Sequence, residues 1–103
     1  LVISGGYNVY PKEVEVVLDE MPEVAESAVI GVPHRDFGEA VVAAVVASGA
    51  EVTLRDIEQA LGSRLARFKQ PKQVVNVPEL PRNTMGKVQK NKLRELYSNL
   101  FDD

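Results

Sequence analysis

No cysteine occurs in this chain, so disulfides, thiolate metal sites and cysteine nucleophiles are excluded, and a reducing compartment is compatible. Histidine is almost as scarce. The single one, His34, has no histidine or cysteine neighbour and stands in a turn-forming stretch, Pro33-His34-Arg35-Asp36-Phe37-Gly38, which reads as a structural or solvent-exposed position and leaves no metal site to predict. Long apolar runs are missing too: the most continuous one, Ala40 to Ala47, falls far short of the roughly 20 residues a membrane helix needs. Leu1-Val2-Ile3 is too short and lacks the charged leader of a secretory signal, so the reading is cytoplasmic with no membrane partner. There is no excess of positive charge either. A formal net charge of -3 removes the electrostatic reason to expect nucleic acid as a partner.

What is present is an ordinary globular composition, with 45% hydrophobic and 26% charged residues in a length of 103, enough for one domain over residues 1-103 with a modest core. Leu1-Val2-Ile3 and Asn8-Val9-Tyr10 flank Ser4-Gly5-Gly6-Tyr7, the pattern of a tight hairpin at a Gly-Gly pair. Pro11 sits where a helix favours proline, and Val14, Val17, Leu18 and Met21 give that helix an apolar stripe ending before Pro22. Glu13 and Glu15, two apart on the helix, diverge and read as solvated surface. Residues 24–32 are rich in β-branched side chains and read as a strand, and residues 39–47, apolar without alternation, predict a central strand covered on both faces. Thr53 and Asp56 match a capping box, opening a helix with Leu54, Ile57, Leu61 and Leu65 on its core face. Gln73 to Val77 forms a last short strand. The predicted fold class is α+β: a small three-stranded sheet, about three helices and an N-terminal hairpin.

Basic residues are local, from Arg64 to Lys72 and from Arg82 to Arg94. In the second group Pro81 stiffens the approach, Gly86 permits positive φ, and Lys87 follows at the tip. Leu93, Leu96, Tyr97 and Leu100 then mark one face of a helix. Lys87, Lys90, Lys92 and Arg94 crowd the beginning of this helix, where the macrodipole disfavours cations. The lysines form either a solvated face or an anion site, for which a compact ammonium beside glycine suits phosphate or carboxylate oxygens. Arg67-Phe68-Lys69-Gln70-Pro71-Lys72 reads, on its residues alone, as a helix end whose cations complement the dipole.

Pro81-Arg82-Asn83-Thr84-Met85-Gly86-Lys87-Val88-Gln89-Lys90 with Leu93-Arg94 resembles the C-terminal signature of the adenylate-forming superfamily. Ser4-Gly5-Gly6-Tyr7-Asn8-Val9-Tyr10-Pro11-Lys12-Glu13-Val14-Glu15 is similar to the segment after that family's interdomain hinge, and Gly31 to Glu39 to the strand-turn-strand between. The resemblance implies the mobile C-terminal lid of an acyl-CoA synthetase, with malonyl-CoA synthetases the most similar in the wording of Pro81 to Leu93. It implies Lys87 as the adenylation lysine and an acetylation site, with Pro81, Arg82, Thr84 and Gly86 positioning it. It further implies that Ser4, Gly5, Gly6 and Tyr7 border the pantetheine of CoA, and that Phe68, Lys69 and Lys72 meet its nucleotide, Gln70 departing from the arginine frequent there. The implied cofactors are ATP, with Mg2+, and CoA. The implied partners are an N-terminal domain with a small carboxylic acid substrate, and a protein acetyltransferase and deacetylase acting on Lys87. The chain, opening on a strand-like residue without methionine, reads as one domain of a longer enzyme. The alternatives are an adenylation domain serving a carrier protein and a non-enzymatic basic-patch binding module.

Overall fold

The computed structural model describes residues 1–102. Two short strands, β1 (Val2–Ser4) and β2 (Tyr7–Val9), form the N-terminal hairpin, followed by α1 (Pro11–Leu18). Two long strands, β3 (Val24–His34) and β4 (Gly38–Ala47), pair antiparallel from Glu26↔Val46 to His34↔Gly38. Helix α2 (Leu54–Leu61) crosses over to β5 (Gln73–Asn76), which runs parallel to β4, and α3 (Lys90–Leu96) closes the chain. The predicted three-stranded sheet is thus β3-β4-β5, and the hairpin joins it through Ser4↔Gly38, giving five strands in one sheet.

Both faces of this sheet are covered, which is why β4 has no polar alternation. Val41, Ala43 and Val45 point toward Val14, Val17 and Leu18 of α1 and Ile57 and Leu61 of α2. Val42 and Ala44, with Ala28, Ile30 and Val32, point the other way, under Leu80 and Leu93. Each fully buried Val or Leu here contributes about 1.5–3 kcal/mol. Local chemistry agrees with the packing at α2: the Thr53 side chain accepts from the Asp56 N–H at 3.1 Å, and the Asp56 carboxylate accepts from the Thr53 N–H at 3.0 Å.

Several boundaries differ from the periodicity. Helix α1 ends at Leu18, not Met21, although Met21 stays buried in the turn. Helix α2 ends at Leu61, where Gly62 takes φ 42°, so Leu65 reaches the core from a turn and not from the helix. Only Leu93 of the predicted C-terminal stripe is fully buried; Tyr97 and Leu100 pack against the core from beyond α3, and Leu96 is 72% exposed. Lys87 lies three residues before α3, not inside it.

Glu15 is the clearest departure. Among the described residues strand β3 pairs only with β4, so the outer N–H groups of β3 need partners from elsewhere. From α1, the Glu15 carboxylate reaches the edge and accepts the Val29 N–H at 2.8 Å, while the same oxygen pairs with Lys90 Nζ at 2.7 Å. Its side chain is 13% exposed. This is a structural carboxylate, not the solvated one predicted, because the helix lies across an edge strand that periodicity could not reveal.

Candidate functional site

The segment 82–88 is a tight hairpin closed by the Arg82↔Val88 bridge. Asn83 organises it: its N–H donates to the Lys87 carbonyl at 3.0 Å, its carbonyl accepts from Gly86 at 3.0 Å, and its side-chain Oδ1 accepts from the N–H groups of Met85 and Lys87 at 2.9 and 3.0 Å. Gly86 turns the tip at φ 84°, a conformation that would strain a residue with a side chain. Arg82 stiffens the turn by donating from Nη1 to the Gly86 carbonyl at 2.7 Å, and its Nη2 pairs with Glu26 on β3. Pro81 supplies the carbonyl that receives the Gln89 N–H at 2.8 Å. Thr84 is exposed, and among the described residues its hydroxyl makes no hydrogen bond. The resemblance implied Thr84 among the positioning residues; the hydrogen bonds that shape this turn centre on Asn83, whose side chain can mimic a backbone turn.

The loop is therefore clamped at both stems, by Arg82 to Glu26 on β3 and by Lys90 to Glu15 on α1. Between the clamps the Lys87 side chain is exposed and makes no ion pair among the described residues. It overlooks an open groove of about 890 Å³ whose walls include Lys12, Glu15, Asn83, Lys87, Lys90 and Arg94.

A second surface forms at the other end of the β3–β4 ladder. Gly5 and Gly6 take φ 57° and 85°, with Ser4 paired to Tyr7, which is the two-residue hairpin turn that requires positive φ at both central positions. The Gly5 N–H donates to the Phe37 carbonyl at 2.9 Å, fixing the turn against the β3–β4 connection. Tyr7 stacks on Phe68 with centroids 4.6 Å apart, and Phe68 belongs to a short 3-10 turn, Arg67–Lys69. Lys69 lies 5.8 Å from the Phe68 ring but pairs with Glu13 at 2.7 Å, and Lys72 sits 4.7 Å over the Phe37 ring. The structure thus brings together Gly5, Gly6, Tyr7, Phe68, Lys69 and Lys72, which are distant in sequence. Ser4 is 5% exposed and lies beneath the turn, so it shapes the surface without presenting its hydroxyl. Gln70 points inward, its Nε2 donating to the carbonyls of Gly62 and Leu65 at 3.1 Å each, which seals the ragged end of α2.

The Lys87 loop and the Gly5 turn are anchored at opposite ends of β3, while α1 links the two surfaces, Lys12 lining the groove and Glu13 pairing with Lys69. Glu26 anchors the Lys87 loop near one end of β3, and the Gly5 turn docks beyond His34 at the other; eight residues of extended chain span about 25 Å. His34 is structural: its Nδ1 accepts from the N–H groups of Asp36 and Phe37 at 3.1 and 3.3 Å, and its ring stacks on Phe37. Among the described residues no group of three His, Cys, Asp or Glu could hold a metal ion.

A family model described as the AMP-binding enzyme C-terminal domain matches residues 13–87. The chain is 49% identical over 98 residues to the long-chain-fatty-acid–CoA ligase FadD13 of Mycobacterium tuberculosis, covering 95% of this chain and 20% of that ligase. ATP-bound MatB from Rhodopseudomonas palustris superposes with a TM-score of 0.94 at 57% identity, over 99% of this chain and 20% of MatB. The amide bond synthetase McbA from Marinactinospora thermotolerans matches with a TM-score of 0.86 at 39% identity, over 93% of this chain and 20% of McbA. The chain spans about a fifth of the length of these relatives.

Proposed function

We propose, since this chain belongs to the AMP-binding enzyme C-terminal domain family, that it is the mobile lid of a longer AMP-forming acyl-CoA synthetase. In that reaction a carboxylate attacks the α-phosphorus of ATP, releasing pyrophosphate and leaving an acyl-adenylate. The CoA thiol then attacks the acyl carbon, giving acyl-CoA and AMP. The observation that supports the reading is Lys87, an unpaired ammonium held on a loop clamped at both stems. Such a group bridges a carboxylate and an α-phosphate, brings them into line and offsets charge on the transferring group without forming a bond itself.

The surface of Gly5, Gly6, Tyr7, Phe68 and Lys72 serves the second half-reaction. A narrow pantetheine arm passes closest where glycines leave the backbone bare, and Phe68 and Lys72 offer a ring and a cation to the nucleotide end. Lys69 contributes less charge there than its position suggests, because Glu13 pairs with it. The Lys87 loop and the Gly5 turn are anchored at opposite ends of β3, and rotation of the lid as a rigid body would present them in turn. Malonate is the specific acid we favour, on the wording of Pro81 to Leu93 alone, and acetylation of Lys87 by a protein acetyltransferase, reversed by a deacetylase, would silence adenylation by removing its charge. The match to an amide bond synthetase favours one second reading, in which the acceptor is a nucleophile other than CoA.

The test separates the half-reactions in the longer ligase. Lys87→Ala is expected to slow acyl-adenylate formation by about 2.7–4 kcal/mol, the scale of one lost electrostatic anchor, while sparing thioester formation from preformed adenylate. Phe68→Ala is expected to raise the KM for CoA and spare adenylation. The proposal fails if both substitutions slow the same half-reaction.

A further inference from the structure

We infer that the groove between α1 and α3 is a binding site for a diphosphate, held by Lys12, Lys87 and Arg94. Among the described residues four cations line it, these three and Lys90, against the one carboxylate of Glu15, a local excess of three positive charges in a chain whose formal net charge is -3. Lys90 is already spoken for by Glu15 at 2.7 Å. Lys12, Lys87 and Arg94 make no ion pair among the described residues, and all three are exposed to the groove's solvent. Three like charges without counter-ions on neighbouring elements repel one another. A bound anion relieves that penalty.

The lining also selects the class of anion. At about 890 Å³ the groove has room for more than one phosphoryl group. Arg94 supplies a planar fork for two oxygens of one group, and Lys12 and Lys87 supply mobile point charges for the other. The side-chain amides of Asn83, Gln89 and Asn91 stand among them as further neutral donors. The Asn83 Oδ1 is occupied by the N–H groups of Met85 and Lys87, which turns its NH2 outward as a donor. Among the described residues no aromatic side chain lines the groove, so a nucleobase finds nothing there to stack on. The chemistry fits a compact polyanion rich in acceptors and poor in apolar surface. Such binding needs only the folded chain, so it stands or falls apart from the adenylation role of Lys87.

The experiment is a titration of the 15N-labelled 103-residue chain with pyrophosphate, orthophosphate and ADP, followed by amide shifts. Pyrophosphate is expected to move the signals of Lys12, Asn83, Lys87 and Arg94 and to bind at least about fivefold tighter than orthophosphate, the factor of one further unit-charge contact in water. Lys12→Ala and Arg94→Ala are each expected to weaken pyrophosphate about fivefold, whereas Lys69→Ala, on the other surface, leaves it unchanged. Both substituted residues are exposed, and dispersion of the amide spectrum confirms that the variants fold. ADP binding no tighter than pyrophosphate supports an inorganic or phosphate-only ligand. Shifts spread equally over Arg55, Lys69 and Lys72, or orthophosphate equal to pyrophosphate, would mean an adventitious ion only. Tighter binding of ADP through a stacked base would also overturn the assignment.

Discussion

Replacing Glu15 by alanine removes two contacts with very different weights. The first is the acceptor for Val29 N–H, at 2.8 Å on the outer edge of β3, at a residue with no exposed surface. Left without a partner, that N–H costs about 1–3 kcal/mol. The second is the ion pair with Lys90, whose side chain is 31% exposed; such a partly solvated pair contributes about 0.2–1 kcal/mol. The substitution is therefore expected to cost about 2–3 kcal/mol, with the edge hydrogen bond dominating. In a domain of this size that lowers Tm by about 10–20 °C. Glu15→Gln keeps an oxygen acceptor and loses only the charge, so it is expected to cost about 1 kcal/mol at most. Urea unfolding of the two variants, compared at equal m-values, reads the difference directly. Equal losses for alanine and glutamine would mean that the charge and not the edge N–H carries the effect. A loss below about 0.5 kcal/mol for alanine would mean that water replaces the carboxylate and the edge is not closed.

The cap of α2 gives a pH-dependent prediction. The Thr53 backbone N–H, and after it the Thr53 side chain, hold the Asp56 carboxyl below its ordinary range, and Arg64 does the same for Glu20. Groups lowered in the folded state stabilise above their unfolded pKa and lose that contribution as pH falls through the folded value, so thermal melts are expected to weaken between pH about 5 and about 2. Asp56→Asn should flatten that slope, and an unchanged slope would refute the assignment; Thr53→Ala should cost about 1 kcal/mol at neutral pH. Gly6→Ala meets no neighbouring atom but must adopt φ near 85°, so a loss of about 1–2 kcal/mol from backbone strain alone is expected in chemical unfolding. Gly31→Ala places a Cβ 2.7 Å from Oε2 of Glu39, whose Oε1 accepts from the Ile3 N–H at 3.0 Å; faster amide exchange at Ile3 is the expected sign that the hairpin has loosened from the sheet.

The Glu15 case shows where local pattern stops being informative. The sequence by itself determined the class of fold and the order of its elements, because each rests on near neighbours: the uninterrupted apolar run of residues 40–47, the Thr53–Asp56 box, the paired glycines of the first turn. It also singled out Lys87, Gly86 and Pro81, since conformational restriction and charge at adjacent positions are visible along one dimension. What only the tertiary structure decided is who partners whom. Arg82 with Glu26 and Lys69 with Glu13 are 56 residues apart in the chain, and Tyr7 with Phe68 are similarly remote, so no periodicity links them. Glu15 read as solvent-facing because its own helix face is polar; the sheet edge that buries it lies on another element. Leu96 read as core because its spacing suits a helix face, yet the chain leaves α3 at Tyr97 and the residues beyond it cover the sheet instead. Burial and pairing are properties of the closed surface that several elements make together, and a single strand of sequence carries only each element's half of them.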